Sequence, residues 1–131
     1  MLARLIRKIR VDILFYRVKR NITKEKQFLN SLDFDPAPII LTVKQQIDLW
    51  DPMRLLAMDC PDDEYDGEVR KISIFIIRNL KRLDYILLSN CIKSVFRNNF
   101  KGHFQENEDI INVSKNIISS LQTSEIVQRQ L

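Results

Sequence analysis

A cluster of carboxylates in the middle of the chain is the best candidate for a site that could bind a cation or take part in catalysis. The set comprises Asp59, Asp62, Asp63, Glu64, Asp66 and Glu68. Ca²⁺ and Mg²⁺ bind several oxygens of this kind, but the run lacks the alternating spacing and central Gly of an EF-hand loop, and Pro61 stands where a ligand belongs. A metal site is therefore not favoured. Two interpretations stay open: capping of a helix that begins at Asp62, or an acidic surface that faces a partner.

Catalytic chemistry has few candidates. Glu64 and Glu68 would lie on adjacent turns of one helix, whereas acid–base catalysis by carboxylates needs opposed groups across a pocket or a desolvated group. His103 is the only histidine and follows Gly102, which predicts a solvated loop residue. Gly67 and Gly102 are the only glycines, so neither GxGxxG nor GxxxxGK[ST] can be written. We predict no enzyme activity and no cofactor.

The cysteines and the hydropathy pattern bear on the cellular compartment. Cys60 and Cys91 lie 31 positions apart among apolar residues, which favours buried thiols over a disulfide. The longest apolar runs are far shorter than the roughly 20 residues that a bilayer requires. Charge from Arg4 onward argues against a secretion signal. We therefore expect a cytoplasmic protein with no membrane span.

Charge is divided between two poles. Residues 1–26 hold nine basic and two acidic side chains, a balance of +7, and residues 48–68 hold eight acidic side chains against Arg54, a balance of −7. Each pole can serve a different partner. The basic pole predicts nucleic-acid binding through Arg4, Arg7, Lys8 and Arg17, contact with an anionic membrane surface, or only a solvated flank.

Apolar spacings of three and four predict an all-α protein, a single compact bundle of five or six helices with a long N-terminal helix. The predicted helices cover residues 3–30, residues 39–50, a short stretch that ends before Pro61, a stretch from Asp62 through Leu80, a stretch from Asp84, and residues 106–121. The run from Ile72 to Ile77 also fits a buried strand, but no turn glycine or hairpin partner is nearby, so helix is preferred.

The segment around Trp50 and Pro52 predicts a turn between helices. Proline disfavours the α conformation in the residue before it, so the first of these helices should end by Asp51. Asp51 should then cap a short helix that has Pro52 at its first position. The rings of Trp50 and Tyr65 should pack over the proline turns and fill space between chain segments.

Two blocks of sequence carry a family resemblance. The segments Trp50-Asp51-Pro52-Met53-Arg54-Leu55-Leu56 and Pro61-Asp62-Asp63-Glu64-Tyr65-Asp66-Gly67-Glu68-Val69, followed by Val95-Phe96-Arg97-Asn98-Asn99-Phe100, resemble the signature of the bacterial family known as domain of unknown function 1871. The resemblance covers about residues 40–121. Met53 and Arg54 depart from it, because the family tends to carry an apolar residue and a small one, often Gly, there.

The resemblance implies a compact helical cytoplasmic domain with no catalytic residue, similar to proteins proposed as immunity partners in bacterial toxin systems such as contact-dependent inhibition. We accordingly expect one domain over residues 1–131, with a basic helix in residues 1–35 and a family-like core in residues 40–121. The predicted function is binding of a cognate protein toxin through the acidic residues 59–68. The alternative is a nucleic-acid-associated regulatory protein that uses the basic N-terminal helix.

Overall fold

The computed structural model describes residues 21–58, 60 and 64–123. The chain divides into two compact units, Met1–Phe34 and Asp35–Leu131. In the first unit, residues 21–30 are helical and are called α1, and the hydroxyl of Ser31 donates to the carbonyl of Phe28 at the end of this helix. The predicted long N-terminal helix and its cations Arg4, Arg7, Lys8 and Arg17 lie outside the described residues.

The described part of the chain is all-helical, which confirms the predicted fold class. After α1 the helices are α2 (Ala37–Trp50), α3 (Asp66–Arg78), α4 (Tyr85–Asn99) and α5 (Asp109–Gln122), with a 3₁₀ turn at Leu80–Arg82 between α3 and α4. The strand alternative for residues 72–77 is excluded, because these residues lie inside α3. No described helix combines the length and apolar character that crossing a bilayer requires.

Helices α2 to α5 form a four-helix arrangement in the second unit. Each of them packs against two others, so that contacts run from α2 to α3, to α4, to α5 and back to α2. The core consists of apolar side chains at helical spacing, among them Ile39, Val43 and Ile47 of α2, Ile72 and Ile76 of α3, Leu88, Ile92 and Phe96 of α4, and Ile110, Ile117 and Leu121 of α5. The buried stripe predicted for α5 is confirmed, as is Ile92 with Phe96 in α4.

Two helix boundaries follow from local chemistry that the sequence predicted. The α4 helix begins after Asp84, whose carboxylate accepts a hydrogen bond of 2.8 Å from the N–H of Leu87, so the predicted cap is confirmed. The α2 helix ends at Trp50, and Asp51 at its C-cap position has a φ of +45° and donates its N–H to the carbonyl of Ile47. Pro52 then prevents continuation of the helix.

Three predicted boundaries are wrong. Residues 52–58 form turns and no helix, and a single bond from the N–H of Met58 to the carbonyl of Arg54 closes one helical turn there. The next helix begins at Asp66 with Tyr65 at its N-cap position, four residues after the predicted start at Asp62. The last helix begins at Asp109 and not at residue 106, because Asn107 first makes a turn with the N–H of Asp109.

Candidate functional site

A partly buried hydrogen bond joins the two sequence blocks around residues 51 and 65. The side chain of Tyr65 is fully buried, and its hydroxyl donates to Oδ1 of Asp51 at 2.6 Å. The same hydroxyl accepts the N–H of Met53 at 3.0 Å. The end of α2 is thus tied to the residue that precedes α3.

The carboxylate of Asp51 organises the turn that follows α2. It accepts the N–H groups of Leu56 at 3.2 Å and Ala57 at 3.0 Å. A helix N-cap would instead accept from the second or third residue of the helix. Asp51 is therefore a loop-organising residue, which is why the predicted short helix after Pro52 is absent from this described segment.

The turn contains two residues in left-handed backbone conformation. Asp51 has a φ of +45° and Arg54 a φ of +55°. Aspartate tolerates this region better than most residues, whereas for arginine it carries a steric cost. Glycine is the residue that this conformation favours.

The hydrogen bonds set the protonation states of the pair. Burial acts to raise the pKa of Asp51, but hydrogen bonds from the Tyr65 hydroxyl and from the N–H groups of Ala57, Leu56 and Leu55 outweigh it and lower the pKa below 3.8. Burial, with the adjacent Asp51 carboxylate, raises the pKa of Tyr65 well above its ordinary value of 10.0. At neutral pH the pair is a carboxylate that accepts from a neutral phenol.

An aromatic cluster lies beside this hydrogen bond. Phe96 is fully buried, and its ring centroid lies 5.4 Å from that of Trp50, 5.9 Å from Tyr65, 5.7 Å from Phe100 and 5.5 Å from Phe104. Trp50, half-buried, also meets Phe104 edge-on. The prediction that the rings of Trp50 and Tyr65 fill space between chain segments is confirmed.

The predicted acidic surface divides into residues with different environments. Glu64 and Asp66 are exposed on either side of the buried Tyr65. Glu68 is 7% exposed, and its Oε1 accepts a hydrogen bond of 3.0 Å from Nδ2 of Asn99 at the end of α4. Glu68 therefore holds α3 against α4 and does not share the exposed surface of Glu64 and Asp66.

The remaining acidic candidates, Asp59, Asp62 and Asp63, lie outside the described residues. Within the residues that the structure describes, no three histidine, cysteine or carboxylate side chains come together as metal ligands would. The imagined pair of Glu64 and Glu68 on one helix face does not form, because Glu64 precedes the first turn of α3.

His103 and the two cysteines are accounted for by their surroundings. His103 is exposed in the loop between α4 and α5, as predicted. Cys60 and Cys91 are free thiols of intermediate exposure, so neither is fully buried as the sequence predicted. Burial raises the pKa of Cys91 to about 11, so this thiol stays protonated and poorly nucleophilic at neutral pH.

Two features of this site escaped prediction. The partnership of Asp51 with Tyr65 spans 14 positions, and no local pattern of the sequence indicates it. Phe104 joins the aromatic cluster from the loop after α4, and the signal for it was its spacing of four from Phe100, which itself follows Phe96 by four. Comparison with known proteins adds no further candidate: no family model, curated protein or solved structure matches this chain.

Proposed function

We propose that this chain is a non-catalytic protein-binding module of the immunity type, which neutralises a cognate bacterial toxin in the cytoplasm. The observation that carries the proposal is the placement of Glu64 and Asp66, both exposed and separated by a fully buried tyrosine. Tyr65 anchors the chain between them through its bonds to Asp51 and Met53. The two carboxylates are therefore presented from an anchored backbone.

Anchoring matters because association costs conformational entropy. A charged residue on a loose loop must be ordered when it binds, whereas one next to a buried anchor is already held, which leaves more of the interaction for affinity. The neighbouring acids of the sequence, Asp62 and Asp63, extend the negative charge along the same segment. The complementary surface is a cationic cleft of the kind that binds phosphate groups, and acidic residues that enter such a cleft would block it.

The charge complementarity has a kinetic consequence. Attraction between an acidic segment and a cationic cleft accelerates diffusional encounter and is screened by salt. We expect the association rate constant of the complex to fall steeply as the salt concentration rises, while the dissociation rate constant changes less.

The test uses the protein encoded by the neighbouring reading frame as the candidate toxin. The full chain and its variant Glu64→Lys/Asp66→Lys are co-expressed with that protein, and growth and binding affinity are measured. We expect the double variant to lose protection and to bind more weakly by more than about 2 kcal/mol, the size found for interface hot spots. A matched control, Asp33→Lys/Glu108→Lys, changes the net charge equally at exposed acids outside the acidic segment.

Two other outcomes would count against the proposed function, and each has a different meaning. Equal protection by the folded double variant would remove the acidic segment from the interface. A chain that gives no protection, but binds duplex DNA at about 50 mM salt with a log–log salt slope of roughly −3 to −4, would support the regulatory alternative through the basic N-terminal residues. Glu68→Lys is not used in this test, because Glu68 is buried and its replacement should act through folding.

A further inference from the structure

The first turn of α4 exposes three consecutive apolar side chains. Tyr85 is 40% exposed, Ile86 58% and Leu87 36%, while the next residue, Leu88, is fully buried in the core. Single exposed apolar side chains are common on protein surfaces. Three of them at one end of a helix, here called the patch, need an explanation.

Cations lie close to this patch along the chain. Arg78 is the last residue of α3, Lys81 and Arg82 lie in the 3₁₀ turn that follows, and all three are exposed. Lys115 of α5 is also exposed, and its Nζ lies 4.8 Å from the centroid of the Tyr85 ring. Asp84 is the only acid among residues 78–87, and its carboxylate already accepts from the N–H of Leu87. We call residues 78–87 together with Lys115 the basic–apolar corner.

We propose that the basic–apolar corner binds the surface of a bilayer that contains anionic lipids. Side chains of consecutive helical residues are about 100° apart, so Tyr85, Ile86 and Leu87 spread over about 200° of the helix circumference. A fluid interface can receive all three side chains at once, with the flanking cations at the level of the headgroups.

The charges of the corner select the lipid. Four cations against one acid complement a negatively charged leaflet, and each cation near such a surface strengthens binding about five-fold. The apolar side chains add a contribution that salt does not screen. Nucleic acid would use the cations but would leave Ile86 and Leu87 in water. The proposal does not depend on toxin binding, since it uses residues outside the acidic segment.

The experiment measures partition of the full chain onto two kinds of vesicle. One contains phosphatidylcholine with about 30% phosphatidylserine, which gives the membrane a negative surface potential, and the other contains phosphatidylcholine alone. We expect binding to the anionic vesicles that weakens at high salt. Ile86→Gln/Leu87→Gln should reduce the partition coefficient at least five-fold, and Lys81→Glu/Arg82→Glu at least ten-fold, because each reversal removes an attraction and adds a repulsion. All of these side chains are exposed or partly exposed, and far-UV circular dichroism checks that each variant is folded.

A matched control is Leu41→Gln/Leu49→Gln, which removes two exposed leucines of α2, 55% and 80% exposed, outside the corner. Its partition should equal that of the wild type. A second measurement uses tryptophan fluorescence. Brominated lipids should quench the fluorescence of the Ile86→Trp variant more strongly than that of the parent chain, in which Trp50 is the source of the signal.

Three results would overturn the proposal. In the first, Ile86→Gln/Leu87→Gln binds the vesicles as well as the wild type does, while Arg4→Glu/Arg7→Glu/Lys8→Glu no longer binds them. This result would assign lipid binding to the N-terminal residues. Another is the absence of binding to anionic vesicles. The third is binding of an acidic peptide or duplex DNA, but not of vesicles, in a manner that requires Lys81 and Arg82.

Discussion

The hydroxyl of Tyr65, which precedes α3, donates a 2.6 Å hydrogen bond to the carboxylate of Asp51, which follows α2. A second bond, from the N–H of Met53, occupies the acceptor side of the same hydroxyl. One buried phenol therefore holds the end of α2, the turn after it and the start of α3 in a fixed relation.

Tyr65→Phe should destabilise the protein by about 1–3 kcal/mol, because it removes the hydroxyl that donates to Asp51 and takes away the acceptor of the Met53 N–H. Urea unfolding measures the loss. The matched control is Tyr85→Phe at an exposed position, which should change stability by less than about 0.5 kcal/mol. Equal effects of the two substitutions would mean that the Tyr65 hydroxyl contributes nothing specific.

The low pKa of Asp51 predicts a pH-dependent contribution to stability. Folding lowers this pKa below the ordinary 3.8, so the charged carboxylate stabilises the folded state above that pH, and the contribution disappears as the pH falls through the folded pKa. Asp51→Asn removes the titration while it keeps a residue that tolerates positive φ. The difference in unfolding free energy between wild type and Asp51→Asn should be largest near neutral pH and should shrink below about pH 4. A difference that stays constant down to pH 2 would contradict the assignment.

Arg54→Gly should stabilise the protein by about 0.5–1 kcal/mol. A residue with a Cβ pays a steric cost of about 1–2 kcal/mol in left-handed backbone, and removal of this cost outweighs the conformational entropy that glycine loses on folding. The control is Ser94→Gly at an exposed position within α4, where the same residue should destabilise by about 0.5–1 kcal/mol. Thermal unfolding of both variants gives the comparison. Destabilisation by Arg54→Gly would show that the arginine side chain contributes more than its backbone costs.

The aromatic cluster should depend on Phe96 more than on Trp50. Phe96→Ala removes a fully buried ring that meets four others, and it should cost about 3–5 kcal/mol. Trp50 is half-buried, so Trp50→Ala should cost less, about 2–3 kcal/mol. Melting temperatures of the two variants establish the order. A Trp50→Ala variant that melts like the wild type but loses partner binding would place this ring on a binding surface.

The sequence determined those features that depend on local spacing and local hydrogen bonding. Ile110, Val113, Ile117 and Leu121 recur at three and four positions, and this period alone defines the buried face of α5. Asp84 precedes an apolar helix, and its carboxylate caps that helix through the N–H three residues ahead. In both cases the interacting groups are close in the chain, so the pattern is visible without the fold.

The tertiary structure decided how the two sequence blocks meet and which acids remain exposed. Asp51 was predicted to cap a helix, but Tyr65, 14 residues away, binds its carboxylate, and the N–H groups of Leu56 and Ala57 bind it where a helix would otherwise begin. Glu68 looks like its acidic neighbours in the sequence, yet Asn99 of α4 holds it in a buried position. A side chain's partner can lie far along the chain, and the packing of whole helices determines whether a charge meets water or another residue.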